Sequence, residues 1–379
     1  MTHARPLSGF LGAVAIMTCA WSVATASGVV IRADRDFDAA AALAERFEAT
    51  GMVAADGCCT LIRPTWAVTA AHVAEGISPF SRTVQFGGRD YPVRRVVMHP
   101  KAYPGEMRPG KVDLALLELG EPVAGINPVA MCRTGDEKGQ TGIIVGYGDI
   151  GLAEDMFRPG DGVRHAATNL IDRVEPYRLI VSLDAPPAGT ELEGVGAPGD
   201  SGGPMYVERD GGVQLVGVSS ASFGGAPNDY GVRDIYVRIS AFADWIDSEL
   251  ANPSVPPLED ARIRDVDADG FPSTARGDCA AAFFKAARKG GEALASFGEA
   301  HRAAASRASR SSADWAEIVD GVVARWGTLQ PRQYVMQGDD LLVLAETAAG
   351  WRLVTFMFEP DGDGSLTAVA FQPAAAPRE

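Results

Sequence analysis

A chain of 379 residues, 46% hydrophobic and 22% charged, is long enough for two or three domains with a sizeable core in at least one. Its 49 acidic residues against 34 basic ones give a formal net charge of −15, which repels a phosphate backbone and excludes nucleic acid as a partner. The remaining composition is that of an ordinary soluble globular protein.

At the start, Arg5, an apolar stretch from Phe10 to about Ala24 and the small residues Ala24-Thr25-Ala26 make the positive, hydrophobic and cleavable parts of an export signal. Residues 1–26 are therefore expected to be removed and the mature protein to be secreted or periplasmic. The apolar stretch is too short for a spanning helix, and no later segment reads as a membrane span. Removal of Cys19 leaves Cys58, Cys59, Cys132 and Cys279, an even number in an oxidising compartment, which predicts disulfides. A bridge between the adjacent Cys58 and Cys59 would strain the backbone, so the favoured pairing joins one of them to Cys132. No Cys-x-x-Cys spacing supports a zinc site.

Residues 34–50 carry spaced apolar positions and predict a short helix stopped by Gly51. From Met52 to Val237 the texture changes to short runs such as TLIRPTWAVTA, YPVRRVVMHP, TGIIVGYG and DIYVRIS between Gly, Pro and Asp clusters. Many short strands with turn signals predict an all-β sandwich or barrel. Ser240 then caps the amphipathic helix AFADWIDSEL, and ANPSVPP at 251–257 reads as a stiff linker. Beyond it come an alanine-rich helical run from about Asp278 to Arg307, a helix at Ala313–Trp326 and three strand-like runs, which predict a smaller α+β domain. The domains expected are thus 27–250 and 263–379, joined by 251–262. Asp265–Gly270 (DVDADG) matches the opening of a calcium loop, but Arg276 stands where the closing glutamate would be. A solvated acidic turn is the expectation, with no metal and no cofactor.

GDSGGP, Gly199 to Pro204, surrounds one serine with residues that contribute almost no side chain. A serine hydroxyl becomes a nucleophile when a base takes its proton and an acid orients that base. The flanking glycines permit a sharp turn and aim backbone N–H groups at a developing oxyanion. His72, at the end of WAVTAAHV, supplies an imidazole at a strand end, and Asp113 supplies a carboxylate at the head of DLALLEL. The order His72, Asp113, Ser201 is one of those in which such triads occur.

TAAH, DLALL and GDSGGP together resemble the trypsin/chymotrypsin family of serine endopeptidases, of the bacterial secreted type, over about Val53 to Leu250. HPKAY at 99–103, GYG at Gly146–Gly148 and RISAFADWI echo it further. The resemblance implies a chymotrypsin-like double barrel, two six-stranded barrels with the site between them. It implies His72 as general base and then acid, Asp113 as the group fixing its tautomer, and Ser201 as the nucleophile that forms an acyl-enzyme. The N–H groups of Gly199 and Ser201 would form the oxyanion hole. Asp200 would be structural, pairing in relatives with an α-amine freed by cleavage. Protein or peptide is the implied substrate and water the only co-reactant; the oligomeric state is left open.

Two departures stand out. No Ile-Val-Gly-Gly start follows the signal, so Val29, Val30 or Ile31 becomes the processed terminus that reaches Asp200, or another group satisfies it. Val73 replaces the cysteine that usually follows the histidine. For specificity, Val195 falls at the base of the primary pocket, where it offers no acid to a basic side chain. One alignment of DIYVRIS puts Asp234 on the pocket wall and restores a basic preference; a rival through Gly231-Val232 leaves the pocket apolar. Ser220 to Ser222 would form the strand that pairs with substrate backbone. The C-terminal domain resembles cystatin or nuclear-transport-factor-like accessory domains. A catalytically silent binding protein and a non-peptide acyl hydrolase are the alternatives to a peptidase.

Overall fold

The computed structural model describes residues 28–377 apart from 55–56, 103–110, 156, 210–211, 361–363 and 375; the expected export signal lies outside the described residues. The chain divides into two compact units, the first ending at Asp260 and the second beginning at Ala261.

The first unit opens with β1 (Val30–Ile31) and α1 (Phe37–Ala44), whose first turn is capped by the Asp36 carboxylate accepting the Ala39 N–H at 3.0 Å. The helix is shorter than the sequence predicts. Phe47 leaves it to stack on Tyr206, ring centroids 5.1 Å apart, and Gly51 lies inside β2 (Thr50–Val53) rather than at a helix end. There follow β3 (Gly57–Arg63), β4 (Trp66–Thr69), the one-turn helix α2 (Ala71–Glu75), β5 (Thr83–Phe86), β6 (Arg89–Met98) and β7 (Ala115–Leu119). Strands β2 to β7 close into a barrel in the order β2-β3-β4-β7-β6-β5. Leu61, Ile62, Val68, Val84, Phe86 and Leu116 fill it, each fully or almost fully buried. Burial of each such side chain contributes about 1.5–3 kcal/mol.

The second half contains β8 (Ala130–Met131), β9 (Thr141–Gly146), β10 (Gly151–Leu152), β11 (His165–Leu170), β12 (Arg173–Val174), β13 (Arg178–Ser182), β14 (Gly194–Val195), β15 (Pro204–Arg209), β16 (Gly212–Phe223) and β17 (Arg233–Arg238), and ends in α3 (Ala243–Ala251). Its sheet runs β11-β9-β15-β16-β17-β13-β12 with β8 added on β16. The all-β double-barrel architecture is present, but this second sheet is an open half-barrel rather than six closed strands. Where a ladder would close the seam, the buried Asn169 amide bridges it, donating to Ser182 O at 2.9 Å and Gly194 O at 2.8 Å. A separate small sheet places β1 between β10 and β14, with Val30 opposite both Gly151 and Val195.

Residues 252–260, expected to be linker, are strapped to the first barrel. Leu258 N donates to Arg94 O at 2.8 Å, Arg82 Nη1 to Glu259 O at 2.7 Å, and Arg95 Nη1 to Val255 O. Val255 and Leu258 pack on the barrel core, so apolar anchors override the stiffness that the prolines suggest.

The second unit joins β18 (Arg264–Asp265), α4 (Val266–Asp269), α5 (Ala275–Ala287), α6 (Gly291–His301), α7 (Ala304–Ser309) and α8 (Ser312–Trp326) to β19 (Gln330–Gln337), β20 (Asp340–Thr347), β21 (Gly350–Phe358) and β22 (Leu366–Ala374). The five strands form one antiparallel sheet in chain order. Phe283, Phe284, Trp315 and Phe356 centre its core. The alanine-rich run is three helices rather than one, because Gly290 and Gly291 take φ of +66° and +45°, which a continuing helix cannot. In the acidic turn, Asp265 accepts from Gln333 at 3.0 Å and Asp267 from Arg332 at 3.1 Å. Among the described residues no cluster of His, Cys, Asp and Glu could hold a metal ion.

The cysteines overturn the disulfide expectation. None of Cys58, Cys59, Cys132 and Cys279 forms a disulfide among the described residues, and all four are fully buried. Cys59 joins the first barrel's core, Cys132 that of the second sheet, and Cys279 that of the other unit. Those three act as small apolar side chains in separate cores, whereas the Cys58 thiol donates to Gly199 O; burial pushes the Cys279 thiol up to about 12.

Candidate active site

The buried strand β4 ends at Thr69, and two fully buried alanines, Ala70 and Ala71, carry the chain into α2. Small residues there let the helix start lie flat on the barrel and leave His72 partly open, its side chain 29% exposed. Asp113 immediately precedes Leu114 and β7, which hydrogen-bonds to β4, so the topology brings imidazole and carboxylate together. The His72 N–H donates to Asp113 Oδ1 at 2.9 Å, and His72 Nδ1 lies 2.7 Å from Oδ2. An ionised carboxylate there fixes the proton on Nδ1 and leaves Nε2 as the basic nitrogen. Ser220 Oγ, from β16, donates to the same Oδ2 at 2.7 Å. Burial alone would raise the Asp113 pKa; the bonds and attraction of His72, with the Ser220 hydroxyl, outweigh it and hold the pKa below its ordinary value.

Ser201 occupies a turn that only glycine-rich sequence can make. Gly199 has φ +92° and Gly202 φ +79°, and a Cβ on Gly202 would stand 2.2 Å from Thr69 Oγ1 and 2.4 Å from Cys58 O. Backbone hydrogen bonds pin the turn from several sides: Cys58 N to Ser201 O at 2.7 Å, Gly202 N to Ser219 O at 2.9 Å and Gly203 N to Asp200 O at 2.8 Å. The N–H groups of Gly199 and Ser201 donate to no other described residue. Gly57 packs against both sides of the site, its missing Cβ 2.7 Å from Val73 and 2.9 Å from Ser201 O. The serine turn thus abuts the helix that carries His72. Ser201 Oγ and His72 are not hydrogen-bonded to each other here; such contacts commonly tighten only around substrate.

Asp200, 1% exposed, accepts from Gly148 N at 2.7 Å and Ala197 N at 2.8 Å. Burial pushes its pKa well above the ordinary value despite those two bonds. Asp234 on β17 is 3% exposed; it accepts from Ser222 Oγ at 2.6 Å and Gly196 N at 2.7 Å. Burial pushes it up to about 6, against the pull of Ser222 and Gly196. Neither carboxylate has a cationic partner among the described residues. Val195 is fully buried in β14 and packs into the core of the second sheet. Beside these groups the Tyr236 hydroxyl is buried without a hydrogen-bond partner among the described residues. Strand β16 pairs with β15 only as far as Val218, whereas its pairing with β17 continues to Phe223. Among the described residues no strand pairs with its Ser220–Ser222 stretch on the β15 side.

The side-chain role of Ser220 is the feature that sequence reasoning missed. A bulge falls between Ser219 and Ala221, and bulges re-aim side chains; here Ser220 turns toward Asp113. The run SSAS carries no local mark of that.

Residues 45–246 match the family model described as Trypsin. An uncharacterized peptidase of Corynebacterium glutamicum strain R is 30% identical over 219 residues, covering 56% of this chain and 70% of that protein. Mouse transmembrane protease serine 11E is 31% identical over 208 residues, covering 50% of this chain and 47% of its own. The solved structure of neuropsin, a serine protease expressed in the limbic system of mouse brain, aligns with 55% of this chain and 96% of its own, at 19% identity and a TM-score of 0.44. The C-terminal unit lies beyond the residues that the family model matches.

Proposed function

Because this chain belongs to the trypsin family and is a serine-type peptidase, we propose that it cuts peptide bonds internally through His72, Asp113 and Ser201. The observation that carries the reading is the Asp113 carboxylate, ionised and held by three hydrogen bonds, with His72 Nδ1 at 2.7 Å. His72 Nε2 takes the Ser201 proton as Oγ attacks the scissile carbonyl. The uncommitted N–H groups of Gly199 and Ser201 receive the oxyanion, each worth about 3–4 kcal/mol in the transition state. The imidazolium then protonates the leaving amine, and water, deprotonated by the same His72, hydrolyses the acyl-enzyme.

Substrate backbone would lie along the Ser220–Ser222 stretch of β16. Asp234 would meet a basic side chain in the primary pocket: a buried carboxylate without a countercharge is costly, and a lysine or arginine side chain would supply one. Val195 would serve only as packing beneath that pocket. Asp200 has the same need, and the α-amino group of Val29 would meet it after cleavage behind Gly28. Val29 is fully buried beside β1, Gly28 packs against Ile150 and Asp149 O, and Asp149 N donates to Pro198 O in the loop that carries Asp200. The apolar stretch from Phe10 to about Ala24 supports export of the mature protein from the cytoplasm, and no helix of the described residues is long and apolar enough to cross a membrane.

Peptide-library digestion by the mature protein tests the reading. Asp113→Asn is expected to lower kcat/KM by about four orders of magnitude and Ser201→Ala by about six. Turnover of simple esters alone, with peptides untouched, would favour a non-peptide acyl hydrolase.

A further inference from the structure

The outer face of the second sheet carries an unmatched cation close to the candidate site. At their ends β16 and β17 pair residue against residue, Ser222 opposite Asp234 and Phe223 opposite Arg233. Successive side chains on a strand point to opposite faces. Asp234 turns inward to Gly196 N, so Phe223 and Arg233 turn outward. Both are exposed, Phe223 to 40%. The Arg233 guanidinium carbon lies 5.7 Å from the Phe223 ring centroid, which holds the cation over an aromatic surface.

Arg233 makes no ion pair or side-chain hydrogen bond with any described residue. By contrast, Arg238 at the other end of β17 is paired with Glu137, and Arg173 of β12 with Glu175. The next residue across the sheet from Arg233 is Ser182 on β13, which is neutral. An outward arginine with no acid beside it, in a protein of net charge −15, is matched to a carboxylate brought by a partner.

Its place in the sheet says which carboxylate. Ser220 Oγ touches Asp113 and Ser222 Oγ touches Asp234, so β16 runs away from the candidate triad as it passes from Ser220 to Phe223. A substrate strand laid antiparallel on Ser220–Ser222, with the residue before the scissile bond opposite Ser220, has its third residue back opposite Ser222. Its fourth stands opposite Phe223. The first and third side chains share the face of Asp234, and the fourth shares the face of Phe223 and Arg233. Opposed side chains stand about 4.5–5.5 Å apart across strands, so the fourth residue, Phe223 and Arg233 form one row.

We propose that Phe223 and Arg233 select an acidic side chain, glutamate above all, at the fourth substrate residue back from the scissile bond. The glutamate methylenes lie on the Phe223 ring and the carboxylate meets the Arg233 guanidinium. The assignment rests on the triad and the substrate pairing proposed above, and it narrows the substrates of that site to segments with an acid at this position.

Three peptides with arginine before the bond, differing only in glutamate, alanine or lysine at the fourth position, test it. kcat/KM for glutamate should exceed that for lysine by about five- to tenfold, as expected when a partly exposed ion pair replaces a like-charge contact. Alanine should fall between them. At about 0.5 M salt the ratio should shrink to about twofold or less. Arg233→Gln should bring it close to one, and Arg233→Glu should invert it. Glutamate moved to the third position should lose the advantage, because that side chain faces the other way. A wild-type ratio below about two at low salt, a ratio undiminished in Arg233→Gln, or an advantage at the third position instead overturns the assignment. If none of the three peptides is cut, the catalytic reading fails, and fluorescence anisotropy with the same peptides, dye-labelled, on Ser201→Ala protein decides the site. Tighter binding of the glutamate peptide, lost in Arg233→Gln, leaves it standing; equal or undetectable binding overturns it.

Discussion

Asp234→Asn separates a charge from the shape that holds it. In the folded protein burial raises the Asp234 carboxyl from 3.8 to about 6. The raised value means that the folded state holds its proton where the unfolded chain has released it. The contribution of Asp234 to folding stability is therefore greatest below about pH 4, falls as pH rises through that interval and stays low above about pH 6. The gap of about 2 units, at 1.36 kcal/mol each, corresponds to about 3 kcal/mol of destabilisation at pH 8. Asparagine keeps the size but carries no charge; its one oxygen can still accept from Gly196 N while its amide nitrogen donates to Ser222 Oγ. The wild-type and Asp234→Asn proteins, both with Ser201→Ala to prevent self-digestion, are compared by urea denaturation at pH 4 and pH 8. The variant should gain about 2–4 kcal/mol relative to the wild type on going from the lower to the higher pH. With Ser201 intact, the same change should lower the arginine-over-phenylalanine preference in kcat/KM by about tenfold or more. A wild-type-to-variant difference independent of pH would refute the argument that this carboxylate is ionised at a cost in the native state. An unchanged preference would remove Asp234 from the substrate pocket.

Ser220→Ala removes one charge-assisted hydrogen bond to Asp113 Oδ2, worth about 1.5–3 kcal/mol. Stopped-flow or steady-state assay should show kcat reduced about ten- to a hundredfold with KM nearly unchanged, because the change acts through His72; a pure KM effect would count against this. Gly202→Ala places a Cβ at φ +79°, 2.4 Å from the Cys58 carbonyl oxygen. It should cost at least about 2 kcal/mol in denaturation experiments and abolish peptidase activity, and a fully active variant of wild-type stability would disprove the turn geometry. A protein beginning at Val29 should be at least about a hundredfold more active than one retaining Ser27 and Gly28, an ion pair with buried Asp200 being worth several kcal/mol. Equal activity of the two forms would show that Asp200 needs no terminal amine.

How much of this was legible in the sequence depends on how local each feature is. GDSGGP could be read as a nucleophile turn because its conformational demand and its chemistry both sit within six residues, and Gly199 and Gly202 do take positive φ. His72 and Asp113 are adjacent because β4 pairs with β7, a long-range fact that sequence supplied only through family resemblance. The cysteines misled because composition counts thiols but does not report depth, and all four are core residues. Helix α1 ends at Ala44, and Phe47 beyond it stacks on Tyr206, a tertiary contact invisible to periodicity. The sequence left two alignments open around Asp234; in the structure that carboxylate accepts from Gly196 N, and Asp234 and Val232 are both buried. In the alanine-rich region the break is local, since Gly290-Gly291 stands in the sequence and takes positive φ.

The most direct measurement is the site of covalent modification by a fluorophosphonate, identified by peptide mass spectrometry on the mature protein. Rapid, stoichiometric phosphonylation of Ser201 Oγ, slowed by about three orders of magnitude or more in His72→Ala, is the predicted result. Labelling elsewhere in the chain, or at Ser201 with the same rate after His72 is removed, would contradict an imidazole-activated serine.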